Sequence, residues 1–553
     1  GFRDFKVRGK YFYLNGKRIY LFGENIRAVD YGGRRVEGEE IKRALAEKLS
    51  GFKRQGYNIV RNAHLPVIPV ALDLADEIGI MFYNEWAWAF TNSIAEEEFE
   101  KNNLAEIAQW VARDYNHPAV VMWSLGNEVN HAGRPDVCRQ MDKQVALVRR
   151  LDRSGRPIGT FSGVASLSSY GSEKLDTDFL DLHTYHGLST AAWTTWETYF
   201  RQILQSAAKV YGEDGRLKMP FIIWECVGFS WGGSSDPKFK PNEIAQYAQY
   251  AQRATAWAEP NGIGFAGTIG LAAALDPKLG LRYGREKQGK RIIETIRYLS
   301  EEIQGFAPWF HDSDTSAAAL WNQPLLVGLR QEGGTTLTNL CSGNAYVEKL
   351  FLLNSQERSL QDLSVRITLV STDGKTWPLA EVPLSALAGW EKKEFEQSVT
   401  IPQALATGNY QVRLQVFAGR EELSRNFYDV FVRQSGFSAE GASGKVALWG
   451  GGEAARQVQT LLAGFGIAAA CTEDLAALKE FDLLIMPPAS QQAAFFEDSK
   501  HMQELLQWIS QGGRYLQLEQ NYAGLTPVGQ ELIPAANTFV DLVIPAHPAF
   551  AGL

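Results

Sequence analysis

The stretch "NNLAEIAQWVARDYNHPAVVMWSLGNEVN" (residues 102–130) decides the reading of the fold. Its first half reads as an amphipathic helix and its second half, 119–128, as an apolar strand. A helix handing over to a strand without polar alternation is the unit of a parallel sheet buried on both faces. The strand then ends in an amide and a carboxylate side by side, Asn127-Glu128, rather than in a turn residue.

The same unit recurs on both sides. Strands are predicted at 18–25, 57–64 and 79–86 before it, and at 157–163, 178–185, 220–226 and 262–270 after it. Helices such as "EEIKRALAEKLSGFKRQG" (39–56) lie between them. Eight such units point to an α/β fold, a (β/α)8 TIM barrel over residues 1–304, with a doubly wound open sheet as the alternative. Past "KRIIETIRYLSEEIQG" the texture changes to alternating runs with turn signals, among them "EKLFLLN", "SVRITLVST" and "YQVRLQVF". These predict a β-sandwich over 305–436. A linker, "SGFSAEGASG", leads into a C-terminal α/β segment at 445–553, expected to be flavodoxin-like or amidotransferase-like. Its closing "HPAFAGL" reads as the middle of a loop.

Composition narrows the classes. The chain has 553 residues, 45% hydrophobic and 21% charged, which describes an ordinary globular protein of several domains. A net charge of −8 without a basic cluster argues against nucleic acid as a partner. The run "GIGFAGTIGLAAAL" is too short and too glycine-rich to span a membrane. Cys138, Cys226, Cys341 and Cys471 lie far apart, with neither a disulfide framework nor metal-type spacing. No leader is visible, so a secreted or periplasmic protein implies a removed leader, and a cytoplasmic one needs none. The 15 Trp suit sugar-ring platforms as well as core packing.

Catalytic groups of a barrel sit at the C-terminal ends of its strands. Glu128 ends the fourth strand and Glu225, in "FIIWEC", ends the seventh. Two carboxylates facing each other across a barrel mouth are the equipment of glycoside hydrolysis, one as acid and one as nucleophile or base. A lone strand-end glutamate is ordinarily solvated or salt-bridged, and from spacing alone the pair reads equally as structural and as catalytic. To act as the acid, Glu128 must hold a proton near neutral pH, and Trp123 with an ionised Glu225 is the expected cause.

"NHPAVVMWSLGNEVN" with the preceding "ARDY" resembles the acid/base segment of glycoside hydrolase family 2, the β-galactosidase, β-glucuronidase and β-mannosidase group. "FKVRGKYFYLNGKRIYLFGEN" and "GYNIVRNAHLPVIPVALDLADEIGIMFYNE" are similar to that family's barrel entry and its second and third strands. The resemblance implies Glu128 as general acid/base and Glu225 as nucleophile of a retaining β-glycosidase. It implies Asn127 at the sugar 2-hydroxyl, Tyr185 orienting the nucleophile, and Arg61 and His64 supporting the sugar site. Asn25, Glu85 and Trp224 are weaker candidates for which packing or hydrogen bonding without substrate contact is expected. The implied partner is a carbohydrate, with no metal and no organic cofactor in the chemistry. A neutral sugar such as a β-galactoside is favoured because no Lys/Arg cluster marks a uronate pocket, and a homo-oligomer is compatible with the sequence.

The family usually carries two β domains before the barrel, and this sequence begins at the barrel's doorstep, so those domains are expected either to precede it in a longer protein or to be absent. Strand eight, read at 262–270, has Phe265 as its only aromatic where the family commonly places a Trp, and Phe229 or Trp231 are the expected substitutes. His183 and His186 bracket Tyr185, yet no third ligand joins them at metal spacing, so His183 is read as polar lining of the site. Gly450, Gly452 and Ala455 fit a dinucleotide fingerprint, with Glu473 or Asp474 near the acidic position. Against it, the segment is only half a dinucleotide fold, and "LLIMPPAS" lacks an amidotransferase's Cys, so a non-catalytic module is expected. Competing readings are a polysaccharide-cleaving endo-glycosidase and a non-catalytic carbohydrate-binding protein, the latter using Trp321, Trp377 or Trp390.

Overall fold

The computed structural model describes residues 2–27, 38–89, 96–163, 174–184, 193–226, 289–310, 318–330, 339–434, 444–464, 466–487, 499–517, 524–525 and 531–532. Its centre is an eight-stranded parallel sheet rolled into a nearly closed barrel. In chain order the strands are β1 (Leu21–Arg27), β2 (Ile59–Ala63), β3 (Met81–Glu85), β4 (Val120–Ser124), β5 (Ile158–Gly159), β6 (Leu180–His183), β7 (Phe221–Glu225) and β8 (Ile303–Phe306). The ladder runs from β5 back through β1 to β8, β7 and β6. At the seam, Asp178 spans β5 and β6: its backbone N–H donates to Ile158 O at 2.9 Å, and its carboxylate accepts from Ile158 N–H at 2.9 Å.

The strands are apolar on both faces because both are covered. β2, β3, β4 and β7 are buried at every position. Outward residues such as Val60, Phe82, Trp123 and Ile223 pack with helix residues Leu45, Leu72, Ile107 and Trp110. Inward residues Ile59, Met81, Tyr83, Ile222 and Trp224 form a separate interior cluster. Phe5 and Phe12 join it from a three-stranded antiparallel sheet (5–8, 11–14, 17–19) that stops the barrel's lower end. That placement is fixed by Arg3, which donates to Pro118 O ahead of β4, and by Lys6, which donates to Gly155 O ahead of β5. The helices carry ordinary end signals. Pro69 opens the helix Pro69–Ile78 and Gly79 closes it at φ +77°, and Glu97, Glu98 and Glu100 occupy the first turn of Glu97–Asp114.

One strand is not where the sequence puts it. The run 262–270 lies outside the described residues, and the eighth place in the sheet belongs to Ile303–Phe306. Ala307 N–H donates to Ile223 O at 2.8 Å and Cys226 N–H to Ala307 O at 3.2 Å, so the pairing continues beyond the strand. These four residues follow the helix Lys290–Tyr298 so closely that their apolar pattern merges with it in the sequence. A domain boundary at 304 would therefore cut a barrel strand.

Gly23 on β1 shows how tightly the interior is filled. A Cβ there would sit 2.7 Å from the Trp224 ring and 2.9 Å from Phe306 O. Gly23→Ala is expected to destabilise the protein by about 1–3 kcal/mol through overpacking. An unchanged urea midpoint would show that the interior is looser than described.

After the barrel, a three-stranded sheet (325–329, 345–354, 392–400) faces a five-stranded sheet ordered 339–341, 421–433, 408–418, 360–371, 376–387. They share a core of Val327, Leu352, Val365, Leu369, Val412 and Leu414. Beyond residue 444 lies a four-stranded parallel sheet in the order 469–472, 446–449, 483–486, 514–517. That two-one-three-four order is the flavodoxin-like one. No helix among the described residues is long and apolar enough to cross a membrane.

Candidate active site

Side chains alternate across a strand, so the residues that reach the barrel mouth are set by parity, and parity is broken where the chemistry needs it. On β2, Ile59 points inward and so does Arg61, two positions on. On β7 strict alternation would turn Glu225 toward the helices, because Trp224 already faces the interior. A register irregularity between Ile223 and Glu225 re-aims it into the mouth. Glu128 reaches the same space through a left-handed backbone, φ +48°, after Asn127 has bridged to Ala89 and Ser162 on either side.

Arg61, fully buried, is the hub. Its Nε donates to Glu85 Oε2 at 2.7 Å and Nη2 to Glu85 Oε1 at 3.2 Å, a bidentate pair. Nη1 donates to Glu225 Oε1 at 2.8 Å and to Asn25 Oδ1 at 3.3 Å, and Nη2 to Asn127 Oδ1 at 2.6 Å. Burial works against the Arg61 charge, but Glu85 and Glu225 outweigh it and the guanidinium is held charged. Burial raises the Glu85 carboxyl, yet Arg61 and His64 outweigh this, and it lies below the ordinary range.

His183, in register beside Glu225, places Nδ1 at 2.7 Å from Glu128 Oε1 and 3.5 Å from Glu225 Oε1. Oxygens of the two glutamates and this nitrogen all lie within 4.8 Å of one another. The 2.7 Å contact is a hydrogen bond, shorter than the roughly 3 Å edge between two ligand atoms each about 2.0–2.2 Å from one metal ion.

The electrostatics differ from expectation. Trp123 stands on the helix side of β4, its ring 4.8 Å from Trp110 and its Nε1 donating to Asp152, so it cannot shape the Glu128 site. Burial raises Glu128 only in part, because its side chain is 34% exposed, and the His183 hydrogen bond brings it below the ordinary range. Glu225 goes the other way: burial pushes it well above the usual range, Glu128 and Glu85 add to this, and Arg61 opposes it. His183 is pushed down to about 4 by burial and is neutral at ordinary pH.

The remaining sequence candidates fall into place around this core. Asn25 and Glu85 are buried supports of Arg61, and the Trp224 ring packs in the interior against Tyr83. The Asn127 side-chain nitrogen has no partner among the described residues. Tyr185, His186, Phe229, Trp231 and Phe265 lie outside the described residues. Just past β8, Trp309 stacks on His64 at 5.4 Å and 24°. Arg61 lies 5.7 Å from its ring centre, and Glu24 accepts the N–H of Phe310 at 3.2 Å. The sequence signal was available, because Pro308 in "GFAPWF" cannot sit inside a helix and marks an element end.

Residues 5–226, which carry all of these groups except Trp309 and Phe310, match the family described as "Glycosyl hydrolases family 2, TIM barrel domain". Over residues 5–226 the chain is similar to the barrel domain of glycosyl hydrolase family 2. Among curated family relatives, a beta-glucuronidase of Paenibacillus borealis is 33% identical over 171 residues, 29% of this chain and 28% of that protein. A beta-galactosidase of Arthrobacter sp. (strain B7) is 34% identical over 137 residues, 23% of this chain and 13% of that protein. The chain thus matches less than a third of the length of these family-2 relatives. The crystal structure of a beta-D-mannosidase from Dictyoglomus thermophilum shares the fold, with a TM-score of 0.52 at 14% identity, over 77% of this chain and 53% of that one.

Proposed function

We propose that the barrel is a retaining β-glycoside hydrolase, with a neutral β-glycoside such as a β-galactoside as substrate. The observation that carries this reading is the approach of Glu128 and Glu225 to within 4.8 Å at the barrel mouth. Carboxylates that close leave no room for a water between the second carboxylate and the anomeric carbon, whereas inversion needs a gap of about 6.5–9.5 Å to hold one. In the first step Glu225 attacks the anomeric carbon while Glu128 gives its proton to the leaving oxygen. The glycosidic C–O bond breaks and an ester to Glu225 forms. In the second step Glu128 takes a proton from water, the water oxygen bonds to the anomeric carbon, and Glu225 leaves as carboxylate.

Arg61 holds Glu225 Oε1 at 2.8 Å, leaving Oε2 to attack. The Asn127 amide nitrogen is left for the sugar 2-hydroxyl, and Trp309 is the stacking face for the ring. The similar proteins include a beta-galactosidase, a beta-glucuronidase and, by fold, a beta-D-mannosidase, so the sugar is settled by assay. A panel of aryl β-glycosides including the glucuronide, followed by proton NMR of the newly formed product, tests the reading. The β anomer is expected first. The α anomer first, or glycan binding without turnover, would overturn it.

A further inference from the structure

Behind Glu128 stand groups that this reaction leaves unused. Ser162, just past β5, clamps the Glu128 backbone: its carbonyl accepts from Glu128 N–H at 2.8 Å, and its own N–H donates to Gly126 O at 2.9 Å. Its hydroxyl is hydrogen-bonded to Asp181 Oδ2 and lies 2.8 Å from His183 Nε2. The other ring nitrogen of His183 is the one 2.7 Å from Glu128 Oε1. Asp181, buried on β6, has Oδ1 fixed by the N–H of Trp224 at 3.1 Å, with Tyr83 OH 3.4 Å from Oδ2. Gly163 leaves the space this line needs: a Cβ there would sit 2.9 Å from both Glu128 Cγ and His183 Nδ1, at φ +82°.

Asp181, Ser162, His183 and Glu128 therefore form an unbroken line of hydrogen bonds. A hydroxyl has one proton to donate and a neutral imidazole one N–H, so the line has two polarities, and Arg61 Nη1, 3.5 Å from His183 Nε2, favours the one that leaves Nε2 bare. In the first, protonated Asp181 donates to Ser162, Ser162 to His183 Nε2, and His183 Nδ1–H to an ionised Glu128. In the second, protonated Glu128 donates to bare Nδ1, Nε2–H donates to Ser162, and Ser162 to an ionised Asp181. Passing from one to the other moves one proton between the two carboxyls and leaves no charge on His183.

We propose that Asp181, acting through Ser162 and His183, is the proton reservoir of Glu128 and sets whether Glu128 stands ready as acid or as base. This rests on Glu128 being the acid/base of the glycosidase reading. Burial pushes Asp181 up to about 7, against Arg61 and the Ser162 hydrogen bond, with Glu85 adding to the rise. Glu128 lies below its ordinary range under the influence of His183, Arg61 and His64, with Glu225 close by. The free protein thus keeps the proton at the Asp181 end. A sugar that covers the exposed third of the Glu128 side chain raises its proton affinity and draws the proton forward.

The test compares kcat/KM, which reports the acid-assisted first step, on an alkyl β-glycoside and on a 2,4-dinitrophenyl β-glycoside that leaves without a proton. Glu128→Ala calibrates it and should lose the alkyl substrate by about 100-fold or more while sparing the dinitrophenyl one. Ser162→Ala breaks the line and keeps both ends, and is expected to lose about tenfold on the alkyl substrate alone. Its pH limb for that substrate should move by about one unit, and Ser162→Thr should restore it. Asp181→Asn keeps the Trp224 contact at Oδ1, so its amide nitrogen donates to Ser162 and fixes the line with Glu128 ionised. It should lose the alkyl substrate like Ser162→Ala, yet keep kcat on the dinitrophenyl glycoside, where Glu128 acts as base. Equal losses on both substrates in folded Ser162→Ala and Asp181→Asn proteins would reduce these residues to scaffolding and overturn the relay alone. A Glu128→Ala variant without leaving-group dependence would overturn the glycosidase assignment of Glu128, and the relay with it.

Discussion

Glu225→Gln is expected to lower kcat/KM on every accepted glycoside by about a thousandfold or more, because the amide cannot form the glycosyl ester. The geometry should survive. The Gln carbonyl can still accept from Arg61 Nη1, and Arg61 remains anchored by its bidentate pair with Glu85. Stability is expected to move the other way from activity. Burial raises the Glu225 carboxyl well above the ordinary value of about 4.3, so its folded form binds a proton more tightly than the unfolded chain does. Its contribution is full at acid pH, below about 4.3, and is lost as pH rises through the folded value. A Gln at this position has no such loss. The melting temperature of Glu225→Gln should therefore equal that of the wild type near pH 4 and exceed it increasingly toward pH 8. Unchanged turnover would remove Glu225 as nucleophile. A melting difference independent of pH would mean that Arg61, not burial, governs its ionisation.

What the sequence revealed of this site follows from where each residue gets its position. Glu128 and Glu225 were legible because each closes an apolar run, and a strand end in a parallel barrel faces the mouth. Arg61 and Glu85 were reached only through the family resemblance, Arg61 as support of the sugar site and Glu85 as a weaker candidate. The pairing itself was not, since it depends on β2 and β3 lying side by side in register. Trp123 was misplaced because adjacency to Glu128 in sequence is not adjacency in space: it is one residue before Ser124 and so faces the helices, while Ser124 faces Glu85. Trp309 was missed together with β8, whose four residues are too few to display a period. Asp181 and Ser162 carried no signal of their own. An aspartate in "FLDLHTY" looks like any inward strand residue, and its meaning arises only where β5 and β6 bring Ser162 between it and His183.

Arg61→Met is expected to cost more than any other single change in this barrel, about 3–5 kcal/mol at neutral pH, and to abolish activity. The guanidinium makes hydrogen bonds to Glu85, Glu225, Asn127 and Asn25, and all four acceptors are buried. Methionine fills much of the volume but leaves two carboxylates facing each other without a cation. Coulomb repulsion and desolvation then act together, and the charges can be relieved only by taking up protons. In the wild type Glu85 lies below its ordinary value, so its stabilisation is present above about pH 4.3 and fades as pH falls through the folded value. In Arg61→Met the sign reverses. Glu85 joins Glu225 above the ordinary range, and the variant is least destabilised in acid and progressively worse as pH rises. Urea unfolding at pH 4.5 and pH 8 measures the crossover: the gap to wild type should widen by roughly 1.4 kcal/mol for each unit by which a carboxyl has been raised. A gap that stays constant between the two pH values would show that water reaches Glu85 once the guanidinium is gone. The hub would then act by shape alone rather than by charge.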